Sequence, residues 1–416
     1  MSWNNVLNKF IALKREFVNK FGEERLWDYN GSQNCIMYWA NFFPEYKNMF
    51  EPLYINEFED FVLLKYVLLD VTPGFWDAYG GMYRECRSVV LDKKNDCLVL
   101  TPFRKFFNVN EIDETAEEEI RKRIAIAKKV EISDKMDGSM QSARFYNGKI
   151  VLAGSQALDA SNSFRVQIGY ELIGDPNYQM MLMDNPNYTF IFELICKEDV
   201  HVVTYSDEQR GLYLIGMRDV YTGKEVPYDK VIETARSYGV KHTRVFDKTF
   251  DEVFNSLDTK KSYEAEGFVI NIDDYKVKLK YNDYVAIHKT LSKMISPNTV
   301  IKAVIDGIWD DFYSKIPMAY RKNVDEIAHN VFEYARLKRE EILEDYHMCR
   351  ENYQKFEGNE TIDKKSFAIY ASEHHKKNMH HLINLYHGKE LDLLGNNYKM
   401  IKYKEIQEYL QKKANS

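Results

Sequence analysis

The sequence predicts an α+β protein: antiparallel sheets with flanking helices, followed by an all-helical C-terminal domain. Three observations carry this. Short runs of β-branched and aromatic residues, bounded by turn residues, recur through about the first 290 positions of the 416-residue chain. Asn147-Gly148 sits between two such runs, a strong short-range hairpin signal. Beyond Ser296-Pro297-Asn298 strand signals nearly vanish, and Val324, Ile327, Ala328, Val331 and Ala335 recur at helical spacing. A chain this long is expected to hold two or three domains. The boundaries read from it are 1–291, with residues 1–80 as an N-terminal subregion, and 292–416.

Along the chain, residues 5–20 read as a helix. The apolar run 61–69 reads as a buried strand or short helix. Strands are expected at 88–91 and 97–101, joined by a charged turn at 92–96. Residues 114–128 carry Glu at the start and Lys at the end, which suits a helix dipole. The hairpin arms are 141–146 and 149–153. Further strands are expected at 188–195, 212–218, 266–272 and 276–281, and a surface helix at 228–238.

Composition narrows the function classes. The chain is 45% hydrophobic and 14% aromatic, ample for packed cores. No run of eighteen apolar residues suggests a membrane span, and residues 1–5 are not expected to form a secretory signal. Five scattered cysteines, with no C-x-x-C pair, suggest neither a zinc ribbon nor a disulfide framework, so a cytoplasmic setting is expected. A net charge of −7 argues against a nucleic-acid coat protein but not against an enzyme with one basic channel. His374-His375 and His380-His381 lack carboxylate or Cys partners at zinc spacing and read as a helix surface.

The chemistry centres on Lys135 in Lys135-Met136-Asp137-Gly138. Lysine, one spacer and Asp-Gly suit a covalent nucleotidyltransferase: the amine attacks the α-phosphorus of a nucleoside triphosphate, and pyrophosphate leaves. Alone, the string fits an exposed Asp-Gly turn equally well. Four cations in ordered segments add weight, because a triphosphate and its leaving group need electrostatic clamping: Arg87, Lys105, Lys278 and Lys280. On a strand, Lys278 and Lys280 share one face while Val277 and Leu279 share the other. Glu193 and Glu266 are the carboxylates available for ribose hydroxyls or for a hydrated magnesium ion. The attacking amine needs a lowered pKa, and nearby Lys278, Lys280 and a divalent ion are expected to supply it.

The segments Arg-Ser-Val-Val-Leu-Asp at 87–92, Arg-Lys-Phe-Phe-Asn at 104–108, Lys-Met-Asp-Gly-Ser at 135–139, Phe-Glu-Leu-Ile at 192–195 and Lys-Leu-Lys-Tyr-Asn-Asp-Tyr-Val-Ala-Ile-His at 278–288 resemble the type-1 RNA ligases of T-even bacteriophages. The stretch 213–219, with the Thr222-Gly223 turn after it, resembles them too. The resemblance covers about 80 to 290. It implies a nucleotidyltransferase domain of the ATP-grasp-like ligase kind and a three-step reaction: adenylation of Lys135 by ATP, transfer of AMP to an RNA 5′-phosphate, and attack by a 3′-hydroxyl. It also implies that Arg87, Lys105, Phe107, Asp137, Gly138, Glu193, Glu266, Gly267, Lys278 and Lys280 join Lys135 in the ATP site. Magnesium or manganese would lie near Glu193 and Glu266, held directly or through water, and Gly267 would let the backbone pass close to the nucleotide. The expected partner is RNA, in particular a nicked tRNA recognised by the helical tail, with a polynucleotide kinase-phosphatase preparing its ends. One departure stands out. Where such ligases carry a lysine-rich K-S-K-G-like segment, this chain has Leu152-Ala153-Gly154-Ser155-Gln156, without a cation. A DNA ligase or capping enzyme is the nearest alternative, but each would append strands of an OB-fold after residue 280. A tRNA-binding protein without catalysis is the other, and the full set of charged residues argues against it.

Overall fold

The computed structural model describes residues 2–29, 34–67, 74–158, 160–306, 309–314, 316, 318–357, 364–389, 391, 393–394 and 401–414. Leu68 and Leu69 of the apolar run lie outside them. The chain divides into two units, Met1–Ile287 and His288–Ser416.

The first unit opens with three helices, α1 (Asn5–Phe21), α2 (Cys35–Ala40) and α3 (Pro44–Phe50). Asn4 caps α1 by accepting from the Leu7 N–H at 3.1 Å. Next come β1 (Leu53–Glu57), β2 (Phe61–Tyr66), α4 (Ala78–Glu85), β3 (Arg87–Asp92) and β4 (Cys97–Leu100). The four strands form one antiparallel sheet in chain order. Its alternation separates two cores. Val62, Leu64, Val89 and Leu91 pack on the helices around Phe10 and Trp39. Phe61, Leu63 and Val90 face the other way.

After α5 (Glu117–Ile126) the chain enters β5 (Val130–Lys135), β6 (Ser139–Tyr146) and β7 (Lys149–Ala153). The β6–β7 turn is the expected one, with Asn147 at φ 49° and Gly148 at φ 78°. Then follow α6 (Phe164–Ile173), α7 (Pro176–Asp184), β8 (Tyr188–Ile195), β9 (Gly211–Asp219), α8 (Tyr228–Tyr238), β10 (Val245–Phe246), α9 (Phe250–Phe254), β11 (Gly267–Ile272) and β12 (Tyr275–Lys280). These strands make two antiparallel sheets, ordered β10-β5-β11-β12 and β7-β6-β8-β9. The link 136–138 passes from one sheet to the other, so the Lys135 motif sits where they meet. Along β12 the sequence reading holds: Val277 and Leu279 are core, while Lys278 and Lys280 take the other face. The 114–128 helix is shorter than expected, because Asp113–Thr115 forms a separate 3₁₀ turn and the chain is extended at Ala116.

α10 (Asn282–Met294) runs across the boundary between the units. The second unit continues with α11 (Pro297–Ile305), α12 (Trp309–Ser314), α13 (Met318–Glu357), α14 (Lys364–His374), α15 (Met379–Tyr386) and α16 (Tyr403–Ala414). Val324, Ile327, Ala328 and Val331 of α13 pack with Val300, Ile301 and Ile406. Among the described residues after Lys280, every α or β element is a helix. No helix of the described residues is long and apolar enough to cross a membrane.

Candidate active site

Strand register assembles the site. Gly267 pairs with Lys135 of β5 on one side and Lys280 of β12 on the other. Glu266, one residue earlier, reaches both lysines: its Oε2 lies 2.7 Å from the Lys135 Nζ and its Oε1 lies 2.9 Å from the Lys280 Nζ. Gly267 permits this because β11 and β12 run too close for a side chain. A Cβ there would lie 2.1 Å from the Leu279 carbonyl oxygen. The close approach that requires glycine here is to the neighbouring strand's backbone.

From the second sheet, Glu193 enters on β8. Its Oε1 accepts from the Gly138 N–H at 3.1 Å. Gly138 is equally constrained, since a Cβ would meet the Leu194 carbonyl oxygen at 2.4 Å. The Asp137 carboxylate turns away from this space. It accepts from the Val202 and Val203 N–H groups at 2.9 and 3.0 Å and from the Tyr284 hydroxyl at 2.9 Å. Asp137 thus ties the 202–203 loop and α10 to the lysine motif.

A cavity of about 230 Å³ opens at Lys135. Of the expected residues, Arg87, Lys135, Gly138, Glu193 and Lys278 line it; Asp137, Glu266, Gly267 and Lys280 do not, and Lys105 and Phe107 line a separate cavity with Arg84 and Glu114. Phe106, not Phe107, faces the cavity, because neighbours in an extended segment point to opposite sides. The Phe106 ring lies under both cations, 4.6 Å from the Lys278 Nζ and 5.2 Å from the Arg87 guanidinium. Phe107 is buried against Trp76 and under Lys105. Arg87 is aimed by a bulge: β2–β3 pairing passes from Leu64↔Val89 to Lys65↔Arg87, leaving out Ser88 at φ 68°. Its Nη1 is buried without a hydrogen-bond partner among the described residues.

The charges correct one expectation. Burial alone would pull the Lys135 amine down, but Glu266 and then Glu193 outweigh it, and the lysine is held above its ordinary value. The nearest charge to Lys135 is a carboxylate, not another lysine. Lys278 takes the shift instead: burial, Arg87, Lys105 and Lys135 lower it to about 6. Burial, opposed by Lys135 and reinforced by Glu266, raises Glu193 to about 7. Glu266 is buried yet held low by Lys135 and Lys280. Both Glu266 oxygens are thus occupied by lysines, whereas the Glu193 carboxylate accepts from the Gly138 backbone N–H and forms no ion pair among the described residues. No group of three or more metal-binding side chains occurs among the described residues.

Sequence reading missed Phe106, Tyr284 and Asp134. Phe106 and Tyr284 lay within segments already singled out. Asp134 lines the cavity, and burial, opposed by Arg244, raises it to about 6.

A buried lysine at a sheet end, with a glutamate bridging it to a second lysine and a glutamate from a facing sheet, sets an amine beside a proton acceptor and a second cation, as nucleophilic catalysis at an anionic centre requires. Residues 85–284, which include the Lys135 region, match an RNA ligase family model of the T4 RNA ligase 1 type. A candidate bifunctional polynucleotide kinase/RNA ligase of Autographa californica nuclear polyhedrosis virus is 24% identical over 254 residues, covering 56% of this chain and 35% of the viral protein. A candidate RNA ligase of Thermovibrio ammonificans is 26% identical over 244 residues, covering 56% of this chain and 61% of that one. The chain therefore spans about one third and three fifths of the lengths of these two relatives. A solved Naegleria gruberi RNA ligase with PPi gives a TM-score of 0.36 at 16% identity, over 45% of this chain and 57% of that one.

Proposed function

We propose that the protein is an ATP-dependent RNA ligase that joins RNA 3′-hydroxyl and 5′-phosphate ends through a lysyl-AMP and an RNA-adenylate. The observation that carries this is the Lys135–Glu266–Lys280 row across three strands at Gly267. It fixes one amine, gives its proton an acceptor and places a second cation beside it.

In the first step the Lys135 Nζ forms a bond to the α-phosphorus of ATP, and the bond to pyrophosphate breaks. The amine must first lose a proton, and Glu266 Oε2 at 2.7 Å is the acceptor in reach. The ion pair orients the lysine but favours its ammonium form, so the positive charge of Lys278, once protonated, is needed to tip that balance. Arg87 and Lys278 face the phosphates across the cavity, and the apolar wall of Met136, Ile215 and Val269 offers a surface for a flat base. A magnesium or manganese ion would supply further phosphate neutralisation, with Glu193 as its protein ligand, through water. Glu266 is the poorer ligand because both its oxygens are held by lysines. In the second step an RNA 5′-phosphate oxygen takes the AMP, and the phosphorus–nitrogen bond breaks. In the third a 3′-hydroxyl displaces AMP.

The likeness over residues 85–284 supports RNA as substrate, and the helices that the described residues form after Lys280, in place of the strands of an OB-fold, speak against a DNA ligase or capping enzyme. We assign the helical unit to recognition of a nicked tRNA. The viral relative, described as carrying a polynucleotide kinase, supports a kinase-phosphatase as the activity that prepares the ends. The test is sealing of a single-stranded RNA labelled at its 5′-phosphate, with ATP and magnesium. Label that becomes phosphatase-resistant in a joined product is expected. Joining of DNA alone, or transfer of GMP in place of AMP, would overturn the reading.

A further inference from the structure

A second cavity, of about 670 Å³, adjoins the first and shares Arg87, Gly138 and Met140 with it. Its far wall comes from the first sheet, which the mechanism above does not use beyond Arg87. Tyr54 of β1 pairs with Lys65 of β2, and Lys65 pairs with Arg87 of β3, so the three form one row across three strands. Lys65 shares the strand face of Phe61 and Leu63, which pack on Val151 and Ala153 of β7. Its ammonium therefore emerges where β7 ends, and it donates to the Ser155 hydroxyl. The 152–156 segment brings no cation of its own; Lys65 brings one to it from another sheet.

Two like charges directly opposite each other on neighbouring strands are unfavourable. Neither Lys65 nor Arg87 has a carboxylate within ion-pair distance among the described residues, and no carboxylate lines the cavity. Arg165, the third cation there, is engaged by Asp199 at 2.6 Å. The row thus presents two cations, neither in an ion pair among the described residues, to a polar space beside Lys135. Bare pyrophosphate would use only the cations. The cavity is nearly three times the volume of the Lys135 cavity and adds a tyrosine face at Tyr54 and amide groups at Asn56 and Gln156, which suit a base and its edges.

We infer that the Tyr54–Lys65–Arg87 row, closed by Ser155, seats the 5′-phosphorylated terminal nucleotide of the RNA strand that receives AMP, which gives the N-terminal sheet a part in substrate selection. The inference rests on the ligase reading. From this cavity the 5′-phosphate would approach an AMP on Lys135 past the shared Arg87.

The test separates the steps in the full chain, using Lys65→Ala, Tyr54→Ala and Lys65→Arg. Lysyl-AMP formation from labelled ATP should stay within about twofold of wild type in all three, which also reports an intact fold. AMP transfer to 5′-phosphorylated RNA should require at least about tenfold more RNA in both alanine variants and recover in Lys65→Arg, since the lost contact is a charge-assisted one. Unchanged RNA dependence in Lys65→Ala would overturn the inference. So would an equal loss in lysyl-AMP formation and in the pyrophosphate dependence of its reversal, which would assign the cavity to the leaving pyrophosphate. A wild-type chain that forms no lysyl-AMP would sink the ligase reading itself, a different result from either.

Discussion

Lys278 offers a sharp physical prediction. Its amine is buried among Arg87, Lys105 and Lys135 and is lowered to about 6, so at about pH 8 roughly one chain in a hundred carries the proton there. A bound triphosphate reverses the local field, because anionic oxygens then face the amine. Restored to near its ordinary value of about 10.4, Lys278 would be almost fully protonated at the same pH. Binding should therefore take up about one proton per chain. Affinity should fall by up to about tenfold per pH unit between about pH 7 and 9, since uptake on binding makes a higher pH unfavourable. The assay is calorimetry with an α,β-methylene analogue of ATP, which blocks turnover, in buffers of different ionisation enthalpy. At about pH 8 both the γ-phosphate and most of Glu193 are already ionised, so the uptake reports Lys278. Lys278→Met should abolish it. Binding without proton exchange in the wild type, or equal exchange in Lys278→Met, would refute the placement of this lysine against the phosphates.

Other perturbations separate the parts of the site. Glu266→Gln removes the largest charge that raises Lys135, so the acid limb of the rate–pH profile for lysyl-AMP formation should move to lower pH while the maximal rate falls; a shift to higher pH would contradict the assigned ion pair. Glu193→Gln should weaken the magnesium dependence of labelling by about tenfold or more and remove its inflection near pH 7, read by titrating the metal at fixed ATP. Gly138→Ala forces a Cβ to within 2.4 Å of the Leu194 carbonyl and should cost about 1–3 kcal/mol in urea unfolding, with loss of labelling; an unchanged midpoint would show that the two sheets part easily here. Deleting residues 296–416 should spare lysyl-AMP formation but impair sealing of a tRNA nicked in its anticodon loop, and equal sealing by both forms would remove the helical unit from substrate choice.

Much of this site was legible in the sequence because strand periodicity is local information. Val277 and Leu279 had to face one way and Lys278 and Lys280 the other, and Asn147-Gly148 had to reverse the chain. What escaped depended on register between distant strands. Nothing local to Lys135 reveals that Glu266 is its nearest charge, so the sign of its pKa shift was read wrongly. Nothing local to Lys65 reveals that it stands opposite Arg87 or reaches Ser155. The Phe106-Phe107 pair shows that one ring faces the site but not which, because that depends on where the segment joins its neighbours. The helices α6 and α7 and the strand β1 went unread because their apolar residues are mixed with polar ones at no clear period.

The central claim is that Lys135 is the AMP acceptor. Incubation with ATP labelled at the α-phosphorus and magnesium, followed by peptide mapping by mass spectrometry, tests it most directly. One AMP per chain is expected, acid-labile, on the peptide containing Lys135 and absent from Lys135→Ala. An unmodified chain, or AMP on a different lysine, would contradict the account.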